Sequence, residues 1–261
     1  TLVLGGVTNQ AINGFSWFYQ GAVGFAGVFY MILGLFVLKK FLSKYFKFKI
    51  VYITLLAILL GTNLFHYGTY DSIFSHSFSF FLFSLFLYLI PKWYEKICFK
   101  NSLILGILFG MITLVRPTNA VIVIIFLFYG INSFKFLNLL SEIKQRVKLY
   151  LSNIKYLLVI AITSFLIFLP QMLYWKIITG NFITFAYEKY ETFNFLNPQI
   201  GNVLFSVRKG LFFWSPILLF SMIGLFLLIN EFYRKKNVKD IEKNSKFEIR
   251  NSGFNSGKMR Y

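Results

Sequence analysis

Long apolar runs without charge alternate along this chain with short clusters of basic residues. Runs of roughly 15 to 20 uncharged apolar residues have the length of a helix that crosses the hydrocarbon layer of a bilayer. The pattern predicts an all-α integral membrane protein of about seven transmembrane helices, with spans near 20–38, 50–65, 77–90, 102–115, 119–131, 156–175 and 211–230. Trp17, Phe18 and Tyr19 form an aromatic belt where the first span enters the interface. Gly21, Ala22, Gly24, Ala26 and Gly27 offer that span a small-residue surface for close helix packing. Pro91 is expected to end the third span, and Pro170 lies near the outer end of the sixth.

The apolar stretch 102–131 is interrupted by Arg116-Pro117-Thr118-Asn119. Pro117 pushes Arg116 away from helical geometry. The stretch is therefore either one kinked helix of about 45 Å or two short arms joined by a turn. Charge decides between them. With two arms, the loop carrying Lys135, Lys144, Arg146, Lys148 and Lys155 returns to the side of the earlier lysines. A single span would place it opposite them, against the positive-inside rule.

Counting charges then orients the chain. Five lysines follow the first span, three follow the third, five Lys or Arg fall in 132–155 and nine in the tail, so 22 of the 27 basic residues lie on one side. That side is cytoplasmic by the same rule, which places the amino end outside and the carboxyl tail inside. The other side keeps Arg116, Lys176, Lys189, Arg208 and Lys209. Residues 1–16, uncharged and rich in Gly, Asn and Thr, read as the remnant of an outer loop. Residues 176–210 read as a long outer loop, and 231–261 as a flexible basic tail.

Composition adds weight to the membrane reading: 57% of residues are hydrophobic, 35 are Phe and the mean hydropathy is +0.65. The Phe excess equally fits a genome biased toward A and T. A net charge of +18 points toward nucleic acid only until its distribution is considered, since spans separate the basic clusters. Cys98, the one cysteine, excludes an internal disulfide and a cysteine metal cluster. The chain opens at Thr1 without the charged start of a signal peptide, so further residues are expected upstream.

The candidate chemistry falls on the outer side. The island from His66 to His76 holds both histidines and Asp71, one of nine acidic residues. A carboxylate held against apolar walls gains basicity and can act as a base or bind a cation; a solvated loop Asp beside an interfacial His is the plainer alternative. His66, Asp71 and His76 are metal-ligand types, but their spacing matches no compact metal motif, and no cofactor is implied. Arg116, at the helix break, can clamp a phosphate or satisfy the carbonyls that the break frees. Arg208 and Lys209 can meet a lipid phosphate or anchor the aromatic run that follows them. Glu188 and Glu191, three apart, would share a helix face in the substrate loop, where a solvated amphipathic helix is the default. No P-loop, nucleophile elbow or zincin motif is present.

Ser75-His76-Ser77-Phe78-Ser79-Phe80-Phe81, Leu114-Val115-Arg116-Pro117-Thr118-Asn119, Pro170-Gln171, Trp175-Lys176 with Gly180, and Arg208-Lys209-Gly210-Leu211-Phe212-Phe213-Trp214-Ser215-Pro216 occur in that order. Together they resemble bacterial membrane glycosyltransferases of the GT-C type, relatives of protein O-mannosyltransferases and of the aminoarabinose transferases that modify lipid A. The resemblance runs from about Trp17 to Leu228. It implies a multi-helix fold in the inner membrane, an active face outside the cytoplasm, a sugar donor carried on a polyprenyl phosphate, and inversion at the anomeric carbon. It implies further that the principal acidic base sits in the first outer loop, upstream of Thr1, because 1–16 contain no Asp or Glu. His76 stands where the family often has a second acidic residue, with Asp71 five residues before it. Donor and membrane lipids are the implied partners, and divalent metal dependence stays open. Two other readings compete: a transporter or flippase of lipid-linked saccharides, which would show paired broken helices in matching halves, and a non-catalytic membrane scaffold.

Overall fold

The computed structural model describes residues 16–131, 136–184, 198–208 and 210–231. Of these, 82% are helical and none lies in a strand. The elements are α1 (Trp17–Leu42), α2 (Phe48–Gly61), α3 (Leu64–Thr69), α4 (His76–Glu95), α5 (Phe99–Val115), a 3-10 turn (Pro117–Ile122), α6 (Val123–Phe128), α7 (Phe136–Ser152), α8 (Ile154–Thr179), α9 (Ile200–Phe205), α10 (Leu211–Trp214) and α11 (Ile217–Glu231). They fall into two compact units, Thr1–Pro198 and Gln199–Tyr261.

Three helices, α1, α4 and α8, are long and apolar enough to cross a membrane. Only 17% of the most apolar window of α1 and 6% of that of α8 is buried inside the molecule. So much outward apolar surface is what a lipid environment accommodates and water does not. Helices Phe48–Gly61, Phe99–Val115, Pro117–Phe128 and Ile217–Glu231 are apolar but shorter.

The core lies where α4, α5 and α6 meet, around Phe86, Ile90, Trp93, Leu105, Ile112 and Phe126. Trp93 is fully buried, and its indole N–H donates to Ser102 Oγ at 2.8 Å, so the polar edge of the ring is satisfied. Two helix pairs rest on glycine. On α5, Gly106 and Gly110 face α8, where an added Cβ would stand 2.8 Å from Thr163 Cβ and 2.7 Å from Ile167 Cβ respectively. Ser164 Oγ donates to the Gly106 carbonyl at 2.9 Å across the same contact. This is the small-xxx-small approach of membrane helices. On α1, Gly27 receives the Ser72 carbonyl and Gly34 the Phe80 ring, while Gly21 has open space around it.

Four expectations change. Pro91 does not end its helix: α4 runs through it to Glu95, with Pro91 itself buried. The second apolar run is not one helix. Thr62 Oγ1 donates to the Ile58 carbonyl at 2.6 Å and accepts from the Leu64 N–H at 3.2 Å, closing α2 and opening α3. The last run breaks at Ser215-Pro216, between α10 and α11. The segment 132–155 is not simply a loop, for it contains the amphipathic α7.

At Arg116 the chain reverses. Arg116 is extended at φ −153° and ψ 122°, and the 3-10 turn begins at Pro117. Near the start of the returning arm, Asn119 Nδ2 donates to Ser79 Oγ at 3.0 Å, in the first turns of α4. Near its end, the Phe126 carbonyl accepts from Tyr94 Oη at 2.7 Å, at the far end of α4, and Tyr129 Oη meets Tyr45 Oη at 3.3 Å. The arm thus runs alongside α4 in the same direction and antiparallel to α5.

Candidate functional site

Because α4 and the returning arm start together, the His66–His76 segment and the Arg116 turn lie at one end of the bundle. The segment is built from below. Gly68 makes room for the Met31 side chain of α1, and Gly27 lies against the Ser72 backbone carbonyl, so α3 and the loop after it press onto α1. Ser77, fully buried at the start of α4, donates through Oγ to the Tyr67 carbonyl at 2.8 Å and ties α3 to α4.

On this base the chain folds back on itself. The Asp71 N–H donates to the His66 carbonyl at 3.1 Å, which turns the Asp71 side chain toward the imidazole. His66 Nε2 and Asp71 Oδ2 are 2.8 Å apart. The pair is open, with the His66 side chain 56% and the Asp71 side chain 43% exposed. His76 does not join the pair. Its ring lies tilted against Tyr67 at 3.9 Å between centroids, and the charge of Arg116 acts on it. Tyr70 is 81% exposed and stacks on His66 at 6.1 Å.

Arg116 is exposed, and among the described residues no carboxylate pairs with it. Its position is held indirectly: the Asn119 N–H donates to the Arg116 carbonyl at 2.9 Å, and the Asn119 side chain reaches Ser79. The arrangement therefore has an imidazole–carboxylate pair and a cation beside a second imidazole, all at one end of an apolar bundle. Such a set can accept a proton from a hydroxyl and hold an anion.

Arg208 belongs to the second unit. Trp214 Nε1 donates to the Val207 and Arg208 carbonyls, each at 3.2 Å, and the Gly210 N–H donates to the Ser206 carbonyl at 2.7 Å. A side chain at Gly210 would collide with the Ser206 carbonyl, which explains the glycine between the basic pair and the aromatic run. Lys209, Glu188 and Glu191 lie outside the described residues. Among the described residues no group of three His, Cys, Asp or Glu converges to hold a metal ion.

Sequence reading missed the His66–Asp71 pair, having weighed His66 only as a metal ligand, and it missed Asn119. The signal for the pair is slight: a separation of five is not a helical one, and it becomes a contact only because Asp71 turns back after α3. The Asn119 signal is clearer, since a residue following an Arg-Pro break must take up groups that the helix no longer pairs. Comparison with family models, curated proteins and solved structures finds no match to this chain.

Proposed function

We propose that this chain is an integral-membrane glycosyltransferase that moves a sugar from a polyprenyl-phosphate donor to an acceptor hydroxyl. In this reading the bundle crosses the membrane about seven times, and the His66–Arg116 end faces away from the cytoplasm. The observation that supports it most directly is the exposed Arg116 guanidinium at a helix break, on the same end as the His66–Asp71 pair. Donor transfer breaks the bond between anomeric carbon and phosphate oxygen, so negative charge grows on the leaving polyprenyl phosphate. Arg116 stabilises that charge. Asp71, oriented by His66, takes the acceptor proton as the hydroxyl attacks the opposite face of the anomeric carbon, with inversion. His76 lines the site beside Arg116. The donor lipid and membrane lipids are the partners of this reading.

The test separates binding from chemistry. Purified protein is titrated with radiolabelled polyprenyl phosphate and with the matching polyprenol, and sugar transfer is measured in membranes in which the whole gene is expressed. A bidentate, charge-assisted contact is worth roughly 1.5 to 3 kcal/mol, so Arg116→Ala should weaken phosphate binding by about 10- to 100-fold while leaving polyprenol binding unchanged. Equal binding by Arg116→Ala and the parent protein would overturn the assignment. Saturable binding with no transfer, but with movement of the lipid between leaflets of proteoliposomes, would replace the glycosyltransferase by a flippase.

A further inference from the structure

At the opposite end of the bundle, the segment joining α6 to α8 folds into α7, Phe136–Ser152. One side of α7 is pinned. Arg146 donates to the Tyr129 carbonyl and lies 4.6 Å from the centroid of the Tyr94 ring. Tyr150 Oη donates to the Leu127 carbonyl at 2.7 Å and meets Tyr94 Oη. These bonds take up carbonyls left free where α6 ends. Burial pushes the Tyr150 phenol above its ordinary value, so it stays a neutral donor. Asn153 then breaks the chain sharply before α8, its Nδ2 donating to the Leu149 carbonyl at 2.9 Å and its carbonyl accepting from Tyr156.

A second side of α7 is exposed. Leu140, Val147 and Leu151 are 40%, 49% and 67% exposed. Their spacing of seven and four places them within about 40° of one another around the helix axis. Lys144 and Lys148 are exposed along one edge of this stripe, and Gln145 is exposed on the far side. With four charged residues in 17, α7 is too polar to be a span, yet it abuts α8, which is long and apolar enough to be one.

We infer that α7 lies in the plane of the membrane surface, with Leu140, Val147 and Leu151 sunk among acyl chains and Lys144 and Lys148 on the headgroups of anionic lipids. The charge pattern selects this occupant. Lysine stems cover apolar surface while their ammonium groups reach the phosphates beside it, and basic edges on an apolar face favour an anionic leaflet. Continuity selects it too, because Asn153 leads directly from α7 into the apolar α8. The inference rests on the membrane reading of the bundle and not on the glycosyltransferase reading.

The test uses the whole chain in nanodiscs, with Cys98→Ser as background and an environment-sensitive fluorophore at Val147→Cys, Leu151→Cys or Gln145→Cys. Lipid-borne quenchers are expected to quench the labels at 147 and 151 severalfold more than the label at 145, and an aqueous quencher should show the reverse order. Adding phosphatidylglycerol to zwitterionic nanodiscs should deepen the first effect, and Lys144→Gln with Lys148→Gln should remove that dependence. Equal aqueous quenching at all three positions would overturn the proposal. So would labels at 147 and 151 shielded from both quenchers, which would mean a protein covers the face. Lipid quenching indifferent to phosphatidylglycerol would overturn the assignment of anionic headgroups.

Discussion

At Gly27 the absence of a side chain governs where Asp71 can stand. The Ser72 carbonyl occupies the space a Cβ would need, and that contact is backbone, which cannot rotate away. Gly27→Ala should therefore destabilise the bundle by about 1–3 kcal/mol, in the range of overpacked sites. It should also displace the loop that brings Asp71 to His66. Gly21→Ala, with open space around it, is the matched control and should hold or raise the melting temperature, because alanine favours helix by up to about 1 kcal/mol over glycine. A thermal melt of the three proteins in one detergent decides the matter: equal melting temperatures for Gly27→Ala and Gly21→Ala would show that the Ser72 contact is not tight. Asn119 offers a different residue-scale effect. Its bond to Ser79 is neutral and partly buried, so Asn119→Ala should lower stability by about 1 kcal/mol. Because Asn119 positions the Arg116 turn without facing ligand, its loss should weaken polyprenyl-phosphate binding less than Arg116→Ala does. An Asn119→Ala protein that binds as poorly as Arg116→Ala, with an unchanged melting temperature, would make Asn119 itself a phosphate contact.

Among the elements, α5 and α8 approach closely through two glycines, and that contact should respond sharply to bulk. Gly106→Leu would drive a side chain into the Ile160 carbonyl, 2.9 Å from the Cβ position, and into Thr163. The expected outcome is loss of the monodisperse peak in fluorescence-detected size exclusion, whereas Ile107→Leu, on an exposed position of the same helix, should elute as the parent does. A normal peak for Gly106→Leu would mean that α8 does not seat on α5 as described. The same contact shows what can be read from sequence. Apolar runs and basic clusters mark where the helices of the bundle lie, because burial in lipid acts on every residue of a run and leaves a strong compositional trace. Finer decisions leave less. Pro91 costs its helix a hydrogen bond, which argues for an end there, but the helix continues where Ile90 and Trp93 are fully buried and packing outweighs the local cost. Thr62 breaks α2 with a hydroxyl that is unremarkable in composition. The polar character of 132–155 hid α7, because its apolar positions recur at helical spacing among lysines instead of forming a run.

For the molecule as a whole, the reversal at Arg116 decides which loops share a side of the membrane in the proposed topology. The site residues were legible only in part for the same reason. Arg116 and Asp71 are conspicuous as charges in an apolar chain, but they belong together only if the arm after Pro117 runs back down α4. Three contacts make it do so: Asn119 with Ser79 at one end, Tyr94 with the Phe126 carbonyl at the other, and Tyr129 with Tyr45 beyond it. A straight continuation of α5 would carry Tyr129 away from Tyr45, α7 away from the basic loop after α1, and Lys144 and Lys148 to the side with few positive charges. Cysteine labelling in a Cys98→Ser background separates the two arrangements. Tyr70→Cys and Thr118→Cys, both exposed, should react with a membrane-impermeant maleimide in intact cells. Ser43→Cys and Gln145→Cys, also exposed, should react only after the membrane is permeabilised. Exchange of the two groups would invert the orientation while preserving the fold. Labelling of Gln145→Cys together with Tyr70→Cys would instead mean that 102–131 crosses once. It would place α7 beside the His66–Asp71 pair and remove the charge argument on which the proposed active face depends.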